Sequence, residues 1–295
     1  MSSFQPVLMP AQLIALFTAL SYASCLLSAR RCLVDSNPLT VSFVSAIVQT
    51  ITLWSAVFLT GGIPEVQITP TVLFVIAGIL QLGVRLLAFS GIHKIGANRS
   101  STLQATSPLI ASIVAIVFLL ESTTFIVLLG TLLVVSGIIL ITWRPEEQIH
   151  TYRWWHALLP LGAACLTGIN HPLRRHALSM TNEPVFFAAV MGITSFSFVA
   201  AYIALPTTRA RLLWRPRSLL PLLGAGLFET LSILLIITAL SVGTVVIVAP
   251  IAGTYPLWVT LATVVFSRNL EQVNARTMMA TVCVVAGTAA IHLGK

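Results

Sequence analysis

Two ionisable side chains lie where the chain offers them no water. Arg85 stands in Leu82-Gly83-Val84-Arg85-Leu86-Leu87 and Glu229 in Gly226-Leu227-Phe228-Glu229-Thr230, each well inside an apolar run. A charge at the centre of a membrane helix costs about 2.5–3.5 kcal/mol on insertion scales, so such residues face a protein interior, a partner or water. The planar donor fork of Arg85 suits a carboxylate or another anionic group, and Glu229 suits an amine or a coupling proton. Counting about 1.5 Å per residue from Gly96 and Gly243 places Arg85 about 16 Å from one surface and Glu229 about 21 Å from the other. In a hydrocarbon core about 30 Å thick their depths then differ by roughly 8 Å, room for a water or a substrate between them. The alternatives are a static buried pair, or Arg85 reaching to the nearer surface.

A second polar group is Asn170-His171-Pro172. Proline lacks a donor and frees the carbonyl of Gly168, and a helix broken in this way is tolerated in lipid where neighbours or cavity water satisfy it. The segment is therefore expected to face a cavity, with His171 as a candidate titrating gate. Arg174 and Arg175 just beyond read as the helix approaching the interface. Gln104, Thr106 and Ser107 precede Pro108 as Thr254 and Tyr255 precede Pro256. Both sets either line a cavity or hydrogen-bond between helices, and Tyr22, with Ser21, is a further candidate. No catalytic constellation is present. His93, His150, His156, His176 and His292 are scattered, and there is no His-Glu-x-x-His, no Gly-rich phosphate loop and no Gly-x-Ser-x-Gly. Direct ATP drive, a cofactor and a metal are not expected. Cys25, Cys32, Cys165 and Cys283 lack metal-site spacing and read as small apolar residues.

The elements that hold these groups follow from composition. With 57% hydrophobic and 8% charged residues and a mean hydropathy of +0.97, the chain lies far from the roughly 25% charged of soluble domains. A membrane helix needs about 20 apolar residues. About ten such stretches occur, near 11–30, 39–60, 70–92, 99–120, 123–143, 155–177, 184–205, 218–240, 244–267 and 275–293. The connections leave no room for a soluble domain, and no cleavable leader is evident before Pro10.

The stretches form two related halves about 150 residues apart. Leu120-Glu121 is followed by Thr131, Val135, Gly137 and Ile141, and Leu270-Glu271 in the same register by Thr281, Val285, Gly287 and Ile291. Upstream, Pro108-Leu109 answers Pro256-Leu257. Five spans per half is an odd number, so the second half must enter the membrane in the opposite sense, the inverted-repeat plan of many secondary transporters. Gly130 and Gly137, like Ala280 and Gly287, lie two turns apart on one helix face, a surface for close packing in lipid. Glu121 and Glu271 could carry protons, but each stands at the expected start of a helix, where a carboxylate answers the helix dipole and unpaired N–H groups. The structural reading is preferred.

These features together resemble the EamA family of the drug/metabolite transporter superfamily over nearly the whole chain. The carrying residues run from Ala97 to Ile141, with Ser107-Pro108-Leu109, Leu120-Glu121, Gly130 and Gly137, and again from Val245 to Ile291, with Tyr255-Pro256-Leu257, Leu270-Glu271 and Gly287. Gly168-Ile169-Asn170 is similar to the Gly-x-Asn of an EamA half, whereas the first half has Ala23-Ser24-Cys25. The resemblance implies a ten-helix carrier of small metabolites with a cavity lined by spans 1, 3, 4, 6, 8 and 9.

The expected protein is all-α and polytopic, with two inverted five-helix repeats at 1–150 and 151–295. It is expected to export or exchange small amino-acid-like or organic compounds in the cell (inner) membrane of a bacterium. A membrane enzyme on a lipid-borne substrate and a noncatalytic interaction protein are the alternatives. Partners are a small-molecule substrate and the bilayer. The net charge of +8 is spread over short loops without a basic arm, which does not suggest nucleic acid, and no protein partner is implied. Assigning loops by span count puts twelve basic residues on the side opposite the termini and only Arg174, Arg175 and Lys295 on their side. Short basic loops stay cytoplasmic, so the charges place both termini outside, whereas the resemblance implies both inside.

Overall fold

The computed structural model describes residues 11–65, 67–95, 97–142, 154–205, 212–213, 215–266 and 275–294. Among them every regular element is a helix and there is no strand. The first half holds α1 (Ala11–Cys32), α2 (Pro38–Leu59), α3 (Ile68–Ile95), α4 (Ala97–Gln104), α5 (Ser107–Phe118) and α6 (Phe125–Thr142). The second repeats the plan with α7 (Leu158–Met180), α8 (Pro184–Ala204), α9 (Leu219–Val242), α10 (Val245–Ala252), α11 (Tyr255–Phe266) and α12 (Ala275–Leu293). Local signals set several starts. Asn37 caps α2 by accepting the Thr40 N–H at 2.8 Å, with Pro38 in the first turn where its missing donor is not needed.

By length and composition, six segments can cross a membrane: Ala11–Cys32, Pro38–Leu59, Ile68–Ile95, Ser100–Phe118, Pro184–Ala204 and Pro216–Val242. Phe125–Leu140, Val245–Val259 and Val282–Ile291 are apolar but shorter. At 23 residues α7 is long enough, yet Asn170, His171, Arg174 and Arg175 leave it less apolar than those six. Large apolar side chains such as Phe58, Leu59, Ile113 and Phe118 point outward, while Ser45, Gln49, Gln81, Arg85, Asn170, Arg174 and Glu229 are buried. That distribution suits a chain whose solvent is lipid, since polar groups must find partners inside.

The fourth and ninth spans, expected as single helices, are each broken. α4 stops at Gln104 and α5 begins at Ser107; α10 stops at Ala252 and α11 begins at Tyr255. The cause is Pro108 and Pro256, whose rings would clash with the carbonyls four residues earlier, those of Gln104 and Ala252. The Thr106 hydroxyl bonds the Leu103 carbonyl and the Thr254 hydroxyl that of Ile251, both at 2.8 Å, closing the loosened turns. Pro172 behaves otherwise: α7 runs through it without interruption, so the expected break at Gly168 does not occur.

Packing is symmetric under exchange of the halves. α1 packs on α9 and α7 on α3, α2 on α9 and α8 on α3, α11 on α1 and α5 on α7. α2 meets α8, and α6 meets α12. The last pair is close because of glycine. A Cβ on Gly130 would stand 2.7 Å from the Gly287 carbonyl oxygen, one on Gly287 2.6 Å from that of Gly130, and one on Gly137 2.8 Å from that of Ala280. Backbone-to-backbone contact of this kind replaces the hydrophobic drive that lipid cannot supply.

Candidate functional site

Arg85 of α3 and Glu229 of α9 are in direct contact. The Arg85 Nε donates to Glu229 Oε1 at 2.5 Å, and both residues are 2% exposed. Arg85 also donates through Nη2 to Gln49 Oε1 of α2. The expected gap between the two charges is therefore absent. It came from treating Gly96 and Gly243 as the surfaces of a slab about 30 Å thick, whereas α3 and α9 have 28 and 24 residues, about 42 and 36 Å long. Ten residues separate Arg85 from Ile95, and ten separate Glu229 from Leu219, so the two charges stand level when counted from those ends. The pairing is incomplete. Arg85 Nη1, Glu229 Oε2 and Gln49 Nε2 are buried without a protein partner, and each such group carries a desolvation cost unless water or a ligand meets it.

Beside the pair lies a cavity of about 90 Å³, measured as the space open to the centre of a water molecule. A single water needs roughly 10–15 Å³ on that scale, so several waters or a small solute fit. Its walls come from α1 (Thr18, Tyr22), α3 (Gln81, Val84), the broken α4–α5 (Gln104, Ser107), α7 (Thr167, His171, Arg174), α9 (Glu229, Ser232) and the broken α10–α11 (Ala252, Tyr255). Those are spans 1, 3, 4, 6, 8 and 9. The two helix breaks meet at this place: a Cβ on Gly253 would fall 2.6 Å from Cγ of Pro108, and both residues line the cavity. The Tyr22 and Tyr255 rings pack edge-on, with centroids 4.8 Å apart, and close one side.

The sequence candidates divide. Tyr22, Gln104, Ser107, His171, Glu229 and Tyr255 line the cavity, and His171 Nδ1 is buried without a partner. Arg85 stands behind Glu229 and is not among the lining residues. Asn170 donates to the Ala77 carbonyl at 3.2 Å and ties α7 to α3, while Thr254 is spent on its own broken turn.

Arg174 departs from expectation. Next to Arg175 it is expected at the interface, but it is 3% exposed, lines the cavity and donates through Nη2 to Gln81 Oε1 at 2.6 Å. Only Arg175 turns to a helix end, donating to the Leu240 and Ser241 carbonyls at the close of α9. The signal was in the spacing: Thr167, His171 and Arg174 fall at i, i+4 and i+7, one face of a helix. Gln81 was missed as well. It precedes Arg85 by one turn, and 148 residues separate it from Glu229, as 148 separate Pro108 from Pro256 and Gly78 from Gly226. Gln81 and Glu229 are thus the same repeat position, occupied by an amide in one half and an acid in the other. Gln49 had no such marker.

Glu121 is also placed differently from expectation. It lies in the loop between α5 and α6, and its two carboxylate oxygens accept the N–H groups of Val245 and Val246 at 3.1 and 3.2 Å. The physics of a carboxylate at a helix start holds, but the helix is α10 of the other half rather than the one that follows in sequence. Glu271 lies outside the described residues.

Comparison with known proteins gives a family and a fold. The family model described as EamA-like transporter family matches residues 9–143 and 154–293. No curated protein matches the chain in sequence. Solved structures do match in shape. One crystal structure of a protein, 15% identical, superposes with a TM-score of 0.77 over 96% of this chain and 96% of its own, a likeness of fold.

Proposed function

Because the chain belongs to the EamA-like transporter family, we propose that it is a secondary carrier that exports or exchanges a small metabolite by alternating access. In this reading the chain crosses the membrane ten times, residues 1–150 and 151–295 are inverted repeats, and the cavity at their junction is the transport site. The symmetric packing of the halves and the drawing of the cavity walls from both support it.

The observation that carries the reading is the state of Glu229. It is the only carboxylate in any described helix, one oxygen is held by Arg85 and the other is buried with no protein partner, and the residue borders the cavity. The ion pair joins α3 of one half to α9 of the other, and Gln49 anchors Arg85 to α2. A proton at Glu229 weakens its hold on Arg85, and the two halves are then free to rock. A ligand shifts such an equilibrium only through its different affinity for the two states, and a contact across the moving interface supplies that difference.

The test is flux in proteoliposomes with a metabolite panel, comparing wild type with Arg85→Gln and Glu229→Gln. Both variants are expected to lose gradient-driven accumulation. If Glu229 couples protons, Glu229→Gln retains counterflow exchange and loses its dependence on a pH gradient. Wild-type accumulation by both variants, in well-folded protein, refutes the proposal.

A further inference from the structure

Arg174 is a buried cation that no acid answers among the described residues. It is 3% exposed, its Nη2 rests on the neutral amide of Gln81, and its Nε is buried with no partner. The described carboxylates are few and otherwise placed. Glu229 is engaged with Arg85, Asp35 with Arg215 and Glu121 with the start of α10, while Glu65 and Glu183 are exposed. Glu146, Glu147 and Glu271 lie outside the described residues. The cavity beside it admits several waters, but a guanidinium withdrawn from bulk water and without a counter-charge still carries a desolvation cost of several kcal/mol, so a protein keeps one where a partner arrives from elsewhere.

We infer that Arg174 docks the negative group of the cargo and that the cargo is a small amphipathic monoanion, a monocarboxylate in chemical class. The charge balance of the site sets the number: Arg85 and Arg174 against Glu229 leave one positive charge, which one carboxylate neutralises and a phosphate dianion exceeds. The planar fork of arginine matches a carboxylate. His171, one turn from Arg174, and Gln104 add polar groups to the cavity, while Ile233, Ile236 and Ala249 give it an apolar wall for the rest of the molecule. At the repeat position shared by Gln81 and Glu229 only one half carries an acid, so one of the two arginines is left for the cargo. This inference rests on the carrier reading only in calling the anion cargo; binding is measured apart from transport.

The probes are a series from acetate to hexanoate with benzoate, the matched neutral amides, and inorganic phosphate. Thermal stabilisation of the purified protein in lipid nanodiscs is measured for each, followed by counterflow in proteoliposomes for the tightest binder. Wild type is expected to be stabilised by carboxylates at concentrations at least tenfold below those needed for the amides or phosphate, and Arg174→Gln to lose that preference. Gln81→Glu provides a second variant, because it sets a carboxylate beside Arg174. It is expected to melt higher than wild type without ligand and to lose carboxylate stabilisation. Equal stabilisation by acid and amide, no stabilisation across the carboxylate series, or undiminished carboxylate binding in folded Arg174→Gln overturns the inference while leaving the carrier reading in place. Arg174-dependent carboxylate binding with no counterflow has the opposite result: it upholds the anion site and counts against transport.

Discussion

The Arg85–Glu229 pair permits a prediction that separates stability from function. Both partners are 2% exposed and their contact is direct, so removing one leaves the other charged in a medium that cannot solvate it. Breaking a buried pair in this way costs about 3–5 kcal/mol, whereas replacing both partners by apolar residues of similar volume is often neutral or stabilising by about 1–4 kcal/mol. For Arg85→Met, Glu229 keeps no donor among the described residues; for Glu229→Leu, Arg85 keeps only Gln49. Each single variant is expected to melt roughly 6–20 °C below wild type, at about 2–4 °C per kcal/mol. The double variant is expected to melt at or above wild type, since it removes both desolvated charges together, and yet to be inactive in flux. The assay is thermal unfolding of the four proteins of the cycle in lipid nanodiscs, with transport measured on the same preparations. A double variant destabilised by the sum of the single effects, or single variants that melt within a degree or two of wild type, would refute the reasoning, because the pair would then be either additive or solvated.

Other outcomes follow from single contacts. Glu121→Gln should destabilise by about 1–2 kcal/mol, the scale of a lost charge-assisted helix cap, with increased hydrogen exchange confined to α10; unchanged exchange there would show that the cap is idle. Gly287→Val should prevent stable folding, since its Cβ would lie 2.6 Å from the Gly130 carbonyl, whereas Gly224→Ala, whose nearest neighbour would be 3.6 Å away, should stabilise by up to about 1 kcal/mol; comparable yields of the two on size exclusion contradict the packing argument. With Arg174 withdrawn to the cavity, the basic residues on the side of the termini fall to Arg175 and Lys295, so a C-terminal fusion should be active with an exterior reporter and silent with a cytoplasmic one; the reverse pattern overturns the assignment.

What the sequence by itself determined was whatever depends on neighbours along the chain. Apolar content and run length required membrane helices, and the shared Pro, Glu and Gly in one order revealed the duplication. The isolation of Arg85 and Glu229 in apolar runs marked them as costly to bury, but did not show that they touch each other. The helix breaks were half visible: Pro108, Pro256 and Pro172 look alike in sequence, and only the first two interrupt a helix. The partners themselves were decided by the tertiary structure. Glu121 caps a helix that begins 124 positions later, and Arg85 meets Glu229 across 144, because which side chains touch depends on the length, tilt and rotation of packed helices. Arg174 shows the limit most clearly. Next to Arg175 it looks like half of an interfacial basic pair, but successive residues on a helix point about 100° apart, and packing against α3 turned one arginine into the cavity while the other reached a helix end.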